Sequence, residues 1–229
     1  VRPPPDNDEY FEGYSILNAS ENGSAINGQN VSLISSNAIG SADKKMVITL
    51  DTLNNSKAKV SIEAENDVYV DLKSTSNNPL HVDSIISKRG DIELKNSSGL
   101  IFNYITSGGD LHILETGKEL TIYNIGGNAV GFDDILYPHD NIGNGTNAAV
   151  PQSIEIEVLD AMGGSNADST LKIYTAYVQG RNKGQGEYGS NGRQIADISL
   201  MADNIYVNSA NAKSSSVSTL KNPKGYKPA

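Results

Sequence analysis

Val60-Ser61-Ile62-Glu63-Ala64-Glu65-Asn66-Asp67-Val68-Tyr69-Val70 is the stretch from which the fold can be read. Apolar and polar residues alternate from Val60 to Ala64 and again from Val68 to Val70, as in strands that bury one face. Glu65, Asn66 and Asp67 stand between them, and short polar side chains such as those of Asn and Asp favour turns by bonding nearby backbone. The unit is therefore strand, tight corner, strand. It returns with one residue deleted as Ile198-Ser199-Leu200-Met201-Ala202-Asp203-Asn204-Ile205-Tyr206-Val207.

Working outward, the same alternation marks Val47–Asp51, Asp67–Leu72, Asp91–Lys95, Asp110–Ile113, Leu120–Tyr123, Ile154–Val158, Leu171–Tyr174 and Ile205–Val207. One series of strands begins at Val60, Leu80, Leu100 and Leu120, 20 residues apart by number, and a second at Val47, Val68, Ile92 and Leu111, spaced 21, 24 and 19. Two strands per repeat of about 20 residues suit a coil in which each strand stacks on its equivalent one turn later. The expected fold class is all-β, a right-handed parallel β-helix, the hand following from the crossover rule. A β-sandwich is the alternative, but its strand spacing would not give equal steps with matching local sequence. Asn66, Asn96 and Asn204 fall at corners, where their amides would form ladders between turns.

Composition agrees. The chain has 229 residues, no cysteine and no tryptophan, and it is rich in Asn, Ser and Gly, which build corners rather than helices. Eighteen Lys and Arg face 27 Asp and Glu, giving a net charge of -9, which speaks against nucleic acid and against anionic membranes as partners. No apolar run reaches the roughly 18 residues of a membrane span, and Val1-Arg2-Pro3-Pro4-Pro5-Asp6 lacks the apolar stretch of a signal peptide. Thiol catalysis and zinc-thiolate sites are excluded, and three histidines (His81, His112 and His139) leave little imidazole chemistry.

The strings Ile198–Val207, Val31-Ser32-Leu33-Ile34-Ser35-Ser36-Asn37-Ala38-Ile39-Gly40, Gly90-Asp91-Ile92-Glu93-Leu94 and Gly109-Asp110-Leu111-His112-Ile113 resemble the degenerate repeats of filamentous haemagglutinin-like exoproteins. The resemblance covers residues 31 to 125 and 195 to 210. It implies a β-helical shaft of a large secreted bacterial surface protein, serving adhesion, biofilm or cell–cell contact. The family's secretion domain has Asn-Pro motifs near its N-terminus, whereas Asn222-Pro223 stands near the C-terminus here.

Two irregular stretches interrupt the pattern, and loops on a rigid scaffold are the usual seat of function. Residues 126–150 hold Asp133, Asp134, Asp140 and Asn141, oxygen donors for calcium if a metal binds, though the spacing matches neither the EF-hand nor the glycine-rich nonapeptide. Solvated loop carboxylates are the plain alternative, and no cofactor is expected. Residues 179–193 place Arg181, Lys183 and Arg193 beside Tyr188, a set suited to an acidic glycan or an acidic face of a partner. Alternation turns Tyr69, Tyr123, Tyr174 and Tyr206 outward, as does that of His81 and His112, so the tyrosines offer a stripe for glycan stacking or lateral association. The alternative for the tyrosines is cross-strand stacking that only stabilises the sheet. Asn-x-Ser/Thr sequons occur at Asn18, Asn22, Asn30, Asn54, Asn96 and Asn144.

The expected organisation is an N-terminal arm and lead-in over 1–28, a β-helix over 29–215 and a C-terminal arm over 216–229. No nucleophile elbow and no carboxylate pair at glycosidase spacing can be picked out. The expectation is a secreted, extracellular or cell-surface structural or adhesive protein and not an enzyme. Its partners would be further copies stacked end to end, neighbouring repeats of a longer chain, or cell-surface glycans. The alternative is a β-helix that binds or degrades polysaccharide.

Overall fold

The computed structural model describes residues 13–20, 23, 25–52, 58–76, 78–126, 151–160, 169–178, 181–182, 194–195, 197–212 and 217–221. The strands are β1 (Ile26–Gly28), β2 (Asn30–Ser35), β3 (Met46–Leu50), β4 (Lys59–Ala64), β5 (Val68–Ser74), β6 (Leu80–Ser87), β7 (Ile92–Asn96), β8 (Leu100–Ser107) and β9 (Asp110–Glu115). They continue as β10 (Glu119–Ile125), β11 (Ser153–Val158), β12 (Thr170–Val178), β13 (Arg181–Asn182), β14 (Gln194–Ile195), β15 (Asp197–Met201), β16 (Asn204–Ala212) and β17 (Val217–Lys221). The described residues contain no helix.

Two sheets hold all but β13 and β14. An eight-stranded sheet runs β1-β3-β5-β7-β9-β11-β15-β17, a seven-stranded sheet runs β2-β4-β6-β8-β10-β12-β16, and β13 pairs antiparallel with β14. Every pairing within the two large sheets is parallel. Apart from the β13–β14 pair the chain visits the two sheets in strict alternation, an arrangement consistent with a β-solenoid and not with an antiparallel sandwich. β1 falls within the segment 1–28. β17 falls within 216–229, expected to be an arm, and pairs along its length with β15.

The core is a set of apolar columns. Leu80, Leu100, Leu120, Leu171 and Ile205 stand in register across the seven-stranded sheet, and Val68, Ile92, Leu111, Ile154 and Ile198 across the other. Phe102, Ile48, Leu72, Leu94 and their neighbours are fully buried, each Leu, Ile or Phe contributing about 1.5–3 kcal/mol by removal from water.

Two registers differ from the spacing. Val60 pairs with Val82, not Leu80, an offset of 22 residues already present at Lys59 and His81, and Asp83 is then an extra residue opposite β4 that shifts the register by one more between Val60 and Ser61. The strands after it keep this insertion: in β8 Leu100, Phe102 and Ile105 stand opposite Leu80, Val82 and Ile85, with two residues between the second and third, and Tyr104 and Thr106 are buried as well. Such a bulge bends the strand and re-aims its outward side chains. In β3 the buried phase is Met46, Ile48 and Leu50, which leaves Val47 half-exposed and opposite Asp71.

The two similar strings also occupy opposite phases. Val60–Val70 leads from the seven-stranded to the eight-stranded sheet, whereas Ile198–Val207 leads the other way. One strand–corner–strand sequence serves both kinds of corner, with Ala64 and Ala202 buried at equivalent places.

Candidate functional site

The register shift in β6 creates an outward ladder on the seven-stranded sheet. Asn103 donates to Asp83 Oδ1 at 3.3 Å, and the next two strands place Tyr123 beside Tyr174 at the same bend. Their rings stack with centroids 4.9 Å apart and planes 21° from parallel, close to the separation of neighbouring strands. Tyr206 lies one strand further on, opposite Lys172 rather than over Tyr174. Tyr69 sits on the eight-stranded sheet, so the four tyrosines do not form one stripe. Burial, then the neighbouring charges of Asp67, Asp91 and Glu93, raise its phenol pKa.

Beyond Tyr174 the outer edge of β16 opens a groove of about 680 Å3 lined by Lys172, Ile173, Tyr174, Ile205, Tyr206, Val207 and Asn208. Both faces of the strand contribute: Ile205 and Val207 belong to the inward phase, Tyr206 and Asn208 to the outward one. Val207 continues the column Val60, Val82, Phe102, Ile122, Ile173, yet it is 41% exposed where Ile173 is 3% exposed. Among the described residues the groove is thus an exposed end of the core, bordered by an ammonium, two phenols and an amide. Among the described residues that line it there is no carboxylate.

A second polar cluster is wholly internal. Alternation from Leu111 puts Glu115 on the inward phase, and its exposure is 0%. Its carboxylate accepts Asn96 Nδ2–H at 2.5 Å, Gly99 N–H at 3.1 Å and Gly117 N–H at 2.5 Å. Burial raises its pKa, and the donors pull it back without cancelling the rise. The signal for this residue lay in the sequence, as a carboxylate on the apolar phase of a strand. Tyr104 is the other perturbed buried group, its phenol pushed up to about 12 by burial.

Asn66 and Asn37 form the expected ladder, Nδ2–H to Oδ1 at 2.6 Å. Asn96 bonds Glu115 instead, and Asn204 lies near the Ser169 carbonyl at 3.5 Å. Of the sequons, Asn18 and Asn96 are buried and Asn30 is exposed. Asp133, Asp134, Asp140 and Asn141 lie outside the described residues, as do Lys183, Tyr188 and Arg193. Arg181 pairs through its backbone with Ile195 at the neck of the 179–193 stretch. Among the described residues no three His, Asp or Glu side chains are grouped to hold a metal.

The chain matches no protein-family model, no curated protein and no solved structure.

Proposed function

We propose that the chain is a segment of a right-handed parallel β-helical shaft, about 20 residues per turn, in a secreted structural or adhesive protein of the cell surface. The observation that carries this reading is the strict alternation of the chain between two all-parallel sheets. Eight strands stacked about 4.8 Å apart make a rod segment roughly 35 Å long, and stacking further turns lengthens it without a new core design. The Gly-Asp strings behind the resemblance to filamentous haemagglutinin-like exoproteins supply its corners: Asp91 N–H donates to Asp67 Oδ1 and Asp110 N–H to Asp91 Oδ1. Attachment, biofilm or cell–cell contact is the corresponding role, with further copies, neighbouring repeats or surface glycans as partners.

Two measurements test this. Negative-stain electron microscopy should show rods of uniform width, and incubation with a panel of polysaccharides should release no reducing or unsaturated sugar ends. Globular particles would overturn the shaft. Sugar release, or an immobilised layer of the chain that retained neither cells, glycans nor further copies, would overturn the structural or adhesive role.

A further inference from the structure

Among the described residues, the large apolar side chains that stay exposed are Tyr14, Leu17, Ile34, Tyr174, Tyr206 and Val207. Tyr14, Leu17 and Ile34 belong to the first described segment and to β2, and Tyr174, Tyr206 and Val207 to β12 and β16. Between β3 and β11 the described residues expose none. Scattered exposed apolar residues are ordinary on a protein surface, but segregation to two opposite ends of a stack is not.

Backbone adds to the side chains. β2 and β16 are the edges of the seven-stranded sheet and β1 and β17 the edges of the other, so each end presents strand edges with pairing capacity. Because every ladder is parallel, the two ends show strands running in the same direction. A second copy placed head to tail prolongs the parallel ladder of the eight-stranded sheet and keeps the strand direction of the other, whereas a two-fold contact would oppose the strand directions. Such a contact is heterologous and does not close on itself.

We propose, resting on the shaft reading, that the end formed by β16 and β17 takes the opposite end of a second copy, the one bearing Leu17 and Ile34. β17 of one copy continues into β1 of the next. The eight-stranded sheet exceeds the seven-stranded sheet by one strand, so this junction leaves a slot one strand high along β16. The groove lined by Ile205, Tyr206 and Val207 is the β16 wall of that slot.

The test uses one blocked face at a time. Val207→Lys with Tyr206→Lys blocks one end, and Leu17→Lys with Ile34→Lys blocks the other; all four sites are exposed, and circular dichroism verifies the fold. Sedimentation of the unmodified chain should show an open series of oligomers growing with concentration. Each blocked variant alone should be monomeric, its self-association weakened by about 100-fold or more. Their equimolar mixture should stop at a dimer, since only one productive pair of faces remains.

A blocked variant that dimerises alone would overturn the head-to-tail contact in favour of a two-fold one. Oligomers formed by a variant blocked at both ends would overturn it in favour of a lateral contact. An unmodified chain that stays monomeric as inert rods would overturn the second copy as occupant, assign the faces to further turns of one chain, and leave the shaft reading standing.

Discussion

The two kinds of corner solve one problem with opposite chemistry. Where the chain leaves the seven-stranded sheet, Ser87 Oγ–H donates to Asn66 O at 2.7 Å and accepts Gly90 N–H at 3.0 Å, and Asp67, Asp91 and Asp110 form an exposed ladder from turn to turn. Ser107 one turn later and Ser35 two turns earlier serve similarly. Where it leaves the eight-stranded sheet between β9 and β10, a single buried carboxylate, Glu115, gathers the donors of two successive corners. The first design spreads its hydrogen bonds over several small groups, the buried hydroxyls of Ser87 and Ser107 and the exposed aspartate ladder, so the loss of one is local. The second concentrates them on a group with no access to water, so its loss strands two buried donors and a half-buried one together.

The largest expected effect breaks the second corner. Glu115→Ala should destabilise the fold by about 3–5 kcal/mol, read as a shift in the midpoint of urea unfolding. A cost near 1 kcal/mol would show that water replaces the carboxylate and that the corners are alike. Gly90→Ala attacks the first corner through its backbone, because a Cβ there meets the backbone of Asn66 and Asp67. About 1–3 kcal/mol is expected, and thermal unfolding of the pair of proteins measures it.

Ser87→Ala removes one hydroxyl with two partners and should cost about 1 kcal/mol, measured by the same urea titration. Acidity then separates the corners. Because the pKa of Glu115 is raised in the folded chain, the unfolded chain loses this proton first as pH rises. The stability it contributes is full below the ordinary glutamate range and falls as pH rises through the raised value. Wild type should therefore lose stability relative to Glu115→Gln over that rise, and a difference constant from pH 4 to 8 would contradict it. The smallest effect should be Asp91→Asn, whose amide oxygen still accepts the Asp110 N–H; under about 0.5 kcal/mol is expected on an exposed ladder.

Much of this architecture was legible in the chain. The alternation in Ile92–Asn96 and Leu111–Glu115 places strands and their buried faces, and the equal spacing of Leu80, Leu100 and Leu120 is their register in the structure. Val60 broke that spacing because its partner Val82 stands two residues beyond Leu80, an offset that alternation within either strand does not register, and the bulge at Asp83 adds one residue more. The tyrosines were readable as outward, and cross-strand stacking was one of the two readings open to them, but that Tyr123 and Tyr174 are the pair that stacks was not readable. Alternation fixes the side of a strand, whereas which sheet Tyr69 joins depends on how many corners precede it.

What the sequence by itself determined is the all-β class, the position of most strands and the side of each strand that meets the core, because a period of two is a property of a single strand. Only the tertiary structure decided which strands are neighbours, that Glu115 lies over Asn96, that Tyr123 stacks on Tyr174, and that the exposed apolar residues gather at the two ends. These depend on pairing across 19 residues between Asn96 and Glu115 and across 51 between Tyr123 and Tyr174, where the chain folds back by an amount that its corners, not its strands, determine.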